Sequence, residues 1–362
     1  MKRITFAILM LLILSVTACL NEKGNFIAFD NERIEYMGRV GMNERGFAEI
    51  YWPGSSIKIH FEGTGIKALL KDEHGKNYFN VIIDEDSILI LKPDTVQKIY
   101  TLARGLSPGL HTVELFKRTG WNRGKTLFYG FKTGKKTNIL DSDPQKERNI
   151  EFYGNSITAG YAVEDYSGND SRDSTFTNNY RSYANLTARH FNAEYSCIAR
   201  GGIGIMVSWY PLIMPEMYNR LDPEDEYSIW DFSKFTPEVV VVNLFQNDSW
   251  IVELNEYEEF QHRFGTEAPD EDFIIDSYSS FLRLLRDKYP ESHIICMLGN
   301  MDITREVSPW PGYVEKAVAG MEDKKMYTLF VPFKQTPGHP RIEEQAEMAN
   351  KLIDFIEDKI DW

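Results

Sequence analysis

The chain has 362 residues, 43% hydrophobic and 26% charged, a balance that allows two globular domains and excludes a disordered or membrane-embedded protein. With 54 acidic against 40 basic side chains, the formal net charge is −14. So acidic a surface disfavours nucleic acid and anionic lipid as partners, because phosphate recognition rests on Lys and Arg; neutral substrates fit better.

At the N-terminus, Lys2 and Arg3 precede an apolar run from Ile4 to Val16. The run is too short and wrongly flanked for a spanning helix and reads as a secretory signal over 1–18. Leu14-Ser15-Val16-Thr17-Ala18-Cys19 resembles a bacterial lipobox. That resemblance implies that Cys19 is lipidated, becomes the first mature residue and anchors an exported protein to the cell envelope, facing the periplasm or the outside. Residues 19–25 then form a tether, and losing Lys2 and Arg3 takes the charge from −14 to −16. Of the cysteines, Cys197 and Cys296 remain; both sit in apolar strand-like runs and are expected as buried, reduced thiols. No Cys/His spacing suggests a metal site.

Residues 26–134 carry short alternating segments, Ala48 to Trp52, Ile57 to Phe61, Tyr78 to Ile83 and Thr112 to Phe116. Turn signals such as Pro53-Gly54, Gly63-Thr64-Gly65 and Pro108-Gly109 separate them, which predicts a β-sandwich. Residues 135–148 are polar and charged, contain Pro144, and read as a linker.

From Asn149 to the end at residue 362, strands and helices alternate. Strands are predicted over Ile150 to Tyr153, Glu194 to Ala199, Val239 to Phe245, His293 to Leu298 and Met326 to Val331. Helices are predicted over Tyr180 to His190, Phe273 to Tyr289 and Ile342 to Lys359. Such alternation predicts a mainly parallel sheet covered on both faces. Ligand sites of open α/β sheets lie beyond the carboxyl ends of the strands, where Ser156, Gly202 and Asn247 each follow a strand within a few residues.

Ser156, in Gly154-Asn155-Ser156-Ile157-Thr158-Ala159-Gly160-Tyr161, is placed as a nucleophile, but a serine hydroxyl needs a base and an oxyanion hole. Among seven histidines, His60, His74 and His111 belong to the β-domain. His190 ends a helix, His293 opens a strand away from the site, and His262 lies in a polar insertion. His339, in Pro337-Gly338-His339-Pro340 between the last strand and the last helix, remains. Gly202 is suited to bring a main-chain N–H close to substrate because it has no side chain, and Asn247 offers a side-chain amide.

The order Gly-x-Ser, Gly, x-x-Asn-Asp, His-Pro resembles the four blocks of the SGNH (GDSL-type) hydrolases, and the segment around Ser156 is similar to the G-D-S-I-T-x-G-Y segment of carbohydrate esterase family 2. Tyr36-Met37-Gly38-Arg39, Trp52-Pro53-Gly54-Ser55, the stretch from Leu69 to Asp84, and His111 to Thr119 resemble the jelly-roll domain that precedes the hydrolase domain in that family. The likeness covers nearly all of the mature chain. It implies a jelly roll followed by an α/β/α hydrolase domain and removal of O-acetyl groups from plant polysaccharides such as xylan or glucomannan. Ser156 would be nucleophile, His339 base, and the Ser156 N–H, Gly202 N–H and Asn247 the oxyanion donors. No metal or cofactor is expected. Trp250, close after Asn247, is the expected sugar platform, with core packing as its other reading.

Three positions depart from the superfamily pattern. Asn155 stands where Asp is usual, Phe245 where Gly often precedes Asn-Asp, and Thr336 at the place, three before the histidine, that commonly supplies the triad Asp. A main-chain carbonyl is therefore expected to orient His339, giving a Ser-His dyad, with Asp248 or Asp302 as possible substitutes. Two other functions stand beside the esterase: a non-catalytic glycan-binding surface lipoprotein, and an esterase acting on lipid or small acyl substrates.

Overall fold

The structure, a computed structural model, describes residues 24–361; the signal over 1–18, Cys19 and most of the tether lie outside the described residues. Strands β1 (Phe26–Ala28), β2 (Ile34–Met37), β3 (Val40–Asn43), β4 (Phe47–Ile50), β5 (Ser56–Asp72), β6 (Phe79–Ile83), β7 (Ser87–Leu91), β8 (Lys98–Lys117), β9 (Thr126–Thr133) and β10 (Asn138–Ile139) form the first, antiparallel sheet. Two of them run through most of the domain: β5 pairs with β2 and β10 through its first half and with β9 through its second, while β8 accompanies it throughout. Register shifts between Gly63 and Gly65 and between Ile66 and Lys67 let the paired strands bend. Inward residues such as Ile59, Phe61, Ala68, Val113 and Phe131 thereby meet in one apolar cluster. The sequence pattern shows only pieces of these two strands because the bends interrupt the alternation. The segment read as linker begins by adding β10 to β5.

The second domain has strands β11 (Asn149–Gly154), β12 (Glu194–Ala199), β13 (Val239–Asn243), β14 (His293–Leu298) and β15 (Met326–Phe330), all parallel in the order β12-β11-β13-β14-β15. Its helices are α1 (Ser156–Ala159), α2 (Tyr183–His190), α3 (Met214–Met217), α4 (Gln246–Ile251), α5 (Glu258–Phe264), α6 (Glu271–Lys288), α7 (Trp310–Gly320) and α8 (Ile342–Lys359). Successive strand residues feed opposite faces. Val240 and Val242 join Tyr278, Phe281 and Leu285 of α6, whereas Val239 and Val241 join Met348, Leu352 and Ile356 of α8. The run Val-Val-Val-Val-Asn is therefore buried throughout, as a strand covered on both faces requires. The helix expected from Tyr180 starts at Tyr183, where the Ser182 hydroxyl caps it by accepting from the Asn185 N–H.

The two domains share their cores. Trp52 and Trp121 of the β-domain belong to the α6-side cluster, and Ile82 and Phe116 to the α8-side cluster. Between them Arg39, fully buried, donates to Glu151 (3.1 Å), to the Tyr153 hydroxyl (3.0 Å) and to the Tyr218 carbonyl (2.6 Å). The hydroxyls of Tyr153, Ser196 and Tyr289 also donate to Glu151. Lys117, also buried, donates to the carbonyls of Tyr51 and Gly124, and burial pushes its ammonium down to about 7 against the pull of Asp72 and Glu73.

A free lysine titrates near about 10.4, so between that pH and about 7 the unfolded chain holds a proton at Lys117 that the folded chain lacks. Its contribution to stability is thus full at high pH and lost as pH falls toward 7. Lys117→Met should raise the melting temperature over the parent most at pH 7, and the advantage should shrink by pH about 9, as read by paired thermal melts.

Candidate active site

Strand β11 is flanked by β12 on one side and β13 on the other, so the chain leaves it in opposite directions to reach its neighbours, and a crevice opens at such a switch point. Gly154 ends β11 opposite Ala199 and Asn243. The three following loops, carrying Ser156, Gly202 and Asn247, therefore start side by side.

Ser156 opens α1. A Cβ on Gly154 would lie 2.0 Å from Thr158 Oγ1, and Gly160 ends the turn at φ +71°, so glycines bound Ser156 for steric reasons. Asn155 takes over the capping role: its Oδ1 accepts the Ile157 N–H at 2.9 Å, which a neutral amide does as well as a carboxylate. The Ser156 N–H, at the first residue of a helix, has no partner within that helix.

His339 Nε2 lies 2.7 Å from Ser156 Oγ. Its Nδ1 lies 2.7 Å from Asp170 Oδ2, and the His339 main-chain N–H donates to Asp170 Oδ1 at 2.7 Å. A carboxylate only accepts, so Nδ1 carries the proton and Nε2 presents its lone pair to the serine. The orienting group is thus Asp170 and not the expected main-chain carbonyl. Burial raises the Asp170 carboxyl, but the hydrogen bonds and charge of His339 outweigh it and hold Asp170 below the usual carboxylate range. The Tyr161 ring stands edge-on to the His339 ring at 5.0 Å and its hydroxyl donates to the Asp170 carbonyl at 3.1 Å.

Neither of the other two acids reaches the imidazole. Asp248, fully buried, accepts the main-chain N–H groups of Ile205, Met206 and Val207, and burial pushes it up to about 6 against them. Asp302 holds Arg305 at 2.7 Å. Thr336 serves the loop instead: its hydroxyl donates to Glu344, and Lys334 donates to its carbonyl at 2.8 Å and its hydroxyl at 2.7 Å.

The loop bearing Asp170 is fixed from the other domain. Fully buried Arg118 donates to Glu164 at 2.5 Å and to the carbonyls of Thr175 (2.9 Å) and Thr177 (3.2 Å), and Arg123 donates to the Arg172 carbonyl at 3.1 Å. Asp165 closes the near end by accepting the N–H groups of Ser167 and Ser171.

After β13, Asn247 Nδ2 donates to the Ile203 carbonyl at 2.8 Å while its Oδ1 accepts the Trp209 indole N–H at 3.1 Å. The two bonds fix which way the amide points and leave one N–H over. Gly202 has φ +85°, and a Cβ there would meet Trp209 at 3.3 Å and Tyr210 at 3.2 Å. A Cβ on Gly201 would touch Ser156 Cβ at 3.6 Å, so this turn lies against Ser156. Phe245 occupies the left-handed region at φ +74°, where the glycine of the superfamily pattern would be unstrained; its ring is held between Tyr278 at 4.7 Å and Trp310 at 5.1 Å. Gly202→Ala keeps the main-chain N–H, but a Cβ at φ +85° against Trp209 and Tyr210 must shift it, so kcat should fall by up to about 10²-fold, the scale of one lost oxyanion donor, with KM for a small acetyl ester nearly unchanged.

Trp250 is half-buried against the α8-side core. The indole that touches Asn247 is Trp209, 38% exposed, with Tyr257 edge-on at 5.2 Å. Its place in an irregular loop gives no periodic signal that would have singled it out. Away from Ser156 and His339, His60 Nε2 lies 3.0 Å from Glu35 and 3.2 Å from Asp143, the described side chains best grouped to hold a cation, but Lys58 at 2.6 Å already neutralises Asp143.

Residues 36–142 match the family description "Carbohydrate esterase 2 N-terminal". The chain is 32% identical to Cellulase/esterase CelE of Acetivibrio thermocellus across 92% of its own length, and spans 40% of that longer protein. It is 24% identical to an acetylxylan esterase / glucomannan deacetylase of Cellvibrio japonicus, over 96% of this chain and 94% of that one. The structure of a family two carbohydrate esterase from Clostridium thermocellum in complex with cellohexaose superposes with a TM-score of 0.81 at 31% identity, over 91% of this chain and 99% of that one. The chain is a carboxylic ester hydrolase in which an antiparallel β-domain is joined to a five-stranded parallel sheet with a serine at its switch point. Within that class, the chain belongs to carbohydrate esterase family 2.

Proposed function

We propose that the protein is a serine esterase that removes O-acetyl groups from plant polysaccharides of the acetylxylan or glucomannan type. The observation that carries this reading is the unbroken line from Ser156 Oγ through both ring nitrogens of His339 to Asp170, each contact 2.7 Å long. The naming of the Cellvibrio japonicus relatives supports the substrate class, and the cellohexaose in the Clostridium thermocellum relative supports an extended sugar chain as ligand.

His339 Nε2 takes the Ser156 proton as Oγ attacks the acetyl carbonyl, and Asp170 stabilises the imidazolium that results. The developing oxyanion would meet the main-chain N–H groups of Ser156 and Gly202 and the spare N–H of Asn247, since preorganised donors are what stabilises such a charge. The imidazolium then protonates the departing sugar oxygen. Water repeats the sequence on the acetyl-serine, releasing acetate. Trp209 offers an exposed indole face on which a sugar ring stacks beside the oxyanion donors. Export and anchoring through Cys19 belong to the same proposal, since polymeric substrate lies outside the cytoplasm.

Acetate release from acetylated xylan, acetylated glucomannan and a long-chain acyl ester, measured side by side, tests the reading. The two polysaccharides should be turned over and the long-chain ester left nearly untouched. A preference for the long acyl chain, or no release from any substrate, contradicts it.

A further inference from the structure

Strand β7 ends the order of the first sheet, with β6 on one side and no described strand on the other. Its register with β6 is regular over five pairs, from Phe79 opposite Leu91 to Ile83 opposite Ser87, so alternate main-chain N–H and C=O groups along the outer edge face outward unpaired. The strand reads Ser-Ile-Leu-Ile-Leu, and Ile88, Leu89 and Ile90 are 38%, 54% and 57% exposed. Edge strands that stay single are usually shortened, bulged, or interrupted by charge or proline, because a bare apolar edge templates pairing. Three consecutive exposed aliphatic residues serve no purpose on a free surface.

We propose that this edge pairs with the same edge of a second copy of the chain, antiparallel about a two-fold axis at Leu89, so that the two β-domain sheets run into one another. Unpaired edge groups require an extended polypeptide as occupant, and the charges bracketing β7 select its own copy. Asp84, Glu85 and Asp86 precede the strand and Lys92 follows it. Pairing about Leu89 sets Asp86 of each copy beside the partner's Lys92, giving two equivalent ion pairs at the ends of the contact. Between them Ile88 meets the partner's Ile90 twice on one face, and Leu89 meets the partner's Leu89 on the other; such directly opposed pairs are what stabilise a sheet. Sliding the register to centre on Ile90 would oppose Asp86 to the partner's Asp94, a like-charge clash. The contact is self-complementary, so one partner uses up both edges and the assembly closes at two copies.

Sedimentation of the full chain over a concentration series should show a monomer–dimer equilibrium. Leu89→Lys should abolish the dimer. Asp86→Lys and Lys92→Asp singly should each weaken it by roughly tenfold or more, as opposed like charges do, and the double reversal should restore it. Leu89→Cys should cross-link to its own copy under mild oxidation, whereas Leu110→Cys, 72% exposed elsewhere on the domain, should not. Hydrolysis of a small acetyl ester should stay at the parent level in all of these variants, which separates this proposal from the assignment of the active site. A parent that stays monomeric at every concentration, a dimer indifferent to Leu89→Lys, or a double reversal that fails to recover would overturn the proposal.

Discussion

Ser156→Ala should abolish acetate release while circular dichroism and the melting temperature stay at the parent values. The change removes one hydroxyl at a residue whose fold-bearing contacts are main-chain: the Tyr161 N–H donates to the Ser156 carbonyl, and the cap of α1 is made by Asn155. The hydroxyl's contact is with His339 Nε2, so on the proposed mechanism its loss removes the attacking atom while the contacts of Gly202, Asn247 and Trp209 stay as they are. Losing a nucleophile of this kind costs on the order of 10⁶ in kcat. Acetate release above a few per cent of the parent would remove Ser156 from the mechanism.

Asp170→Asn should lower kcat by about 10⁴-fold, the scale seen when a triad aspartate loses its charge, with KM little changed. The substitution is conformationally mild. Position 170 sits at φ +52°, a region that Asn tolerates as readily as Asp, and the His339 main-chain N–H can still be accepted by the amide oxygen. What changes is the proton on the imidazole. An amide N–H facing Nδ1 favours the tautomer with its proton on Nε2, which cannot take one from Ser156. Thr336→Ala, by contrast, should cost less than about tenfold, because that side chain ties the loop to Glu344 and Lys334 and does not touch the ring. A fall of about 10⁴ at Asp248 or Asp302, with Asp170→Asn mild, would reverse this assignment.

The parts of the fold governed by period were legible in the sequence. The strands over 194–199 and 293–298 and the helix over 342–359 lie where the pattern put them, because a strand buried on both faces and an amphipathic helix each leave a repeating signature. That Ser156, Gly202, Asn247 and His339 converge was legible through topology, since each follows a parallel strand and all such ends point one way. Asp170 was not. It lies in an aperiodic segment with several other acids, Asp165 and Asp173 among them, and only the tertiary fold decides which of them faces the imidazole. One trace existed: a Cβ on Gly338, the residue before His339, would stand 2.7 Å from Asp170 Oδ1, so that glycine leaves room for a carboxylate. The dependence of the Asp170 loop on Arg118 and Arg123 was hidden for a related reason, because those residues belong to a domain whose sequence reads as an independent sandwich.

Trp250 shows the opposite failure. Its closeness in sequence to Asn247 suggested a shared surface, but along α4 the two point differently: Asn247 toward Ile203 and Trp209, Trp250 toward the core under α8. Chain proximity stands in poorly for spatial proximity across a helical turn when one neighbour is apolar and large enough to be drawn inward.

Mass spectrometry of the enzyme quenched in acid during turnover of an acetylated oligosaccharide tests the central claim most directly. The account predicts one added acetyl group, mapped to the peptide containing Ser156, accumulating under conditions that slow deacylation and absent from Ser156→Ala. Acetate released with no adduct under any quench, or an acetyl group mapped to a residue other than Ser156, would contradict it.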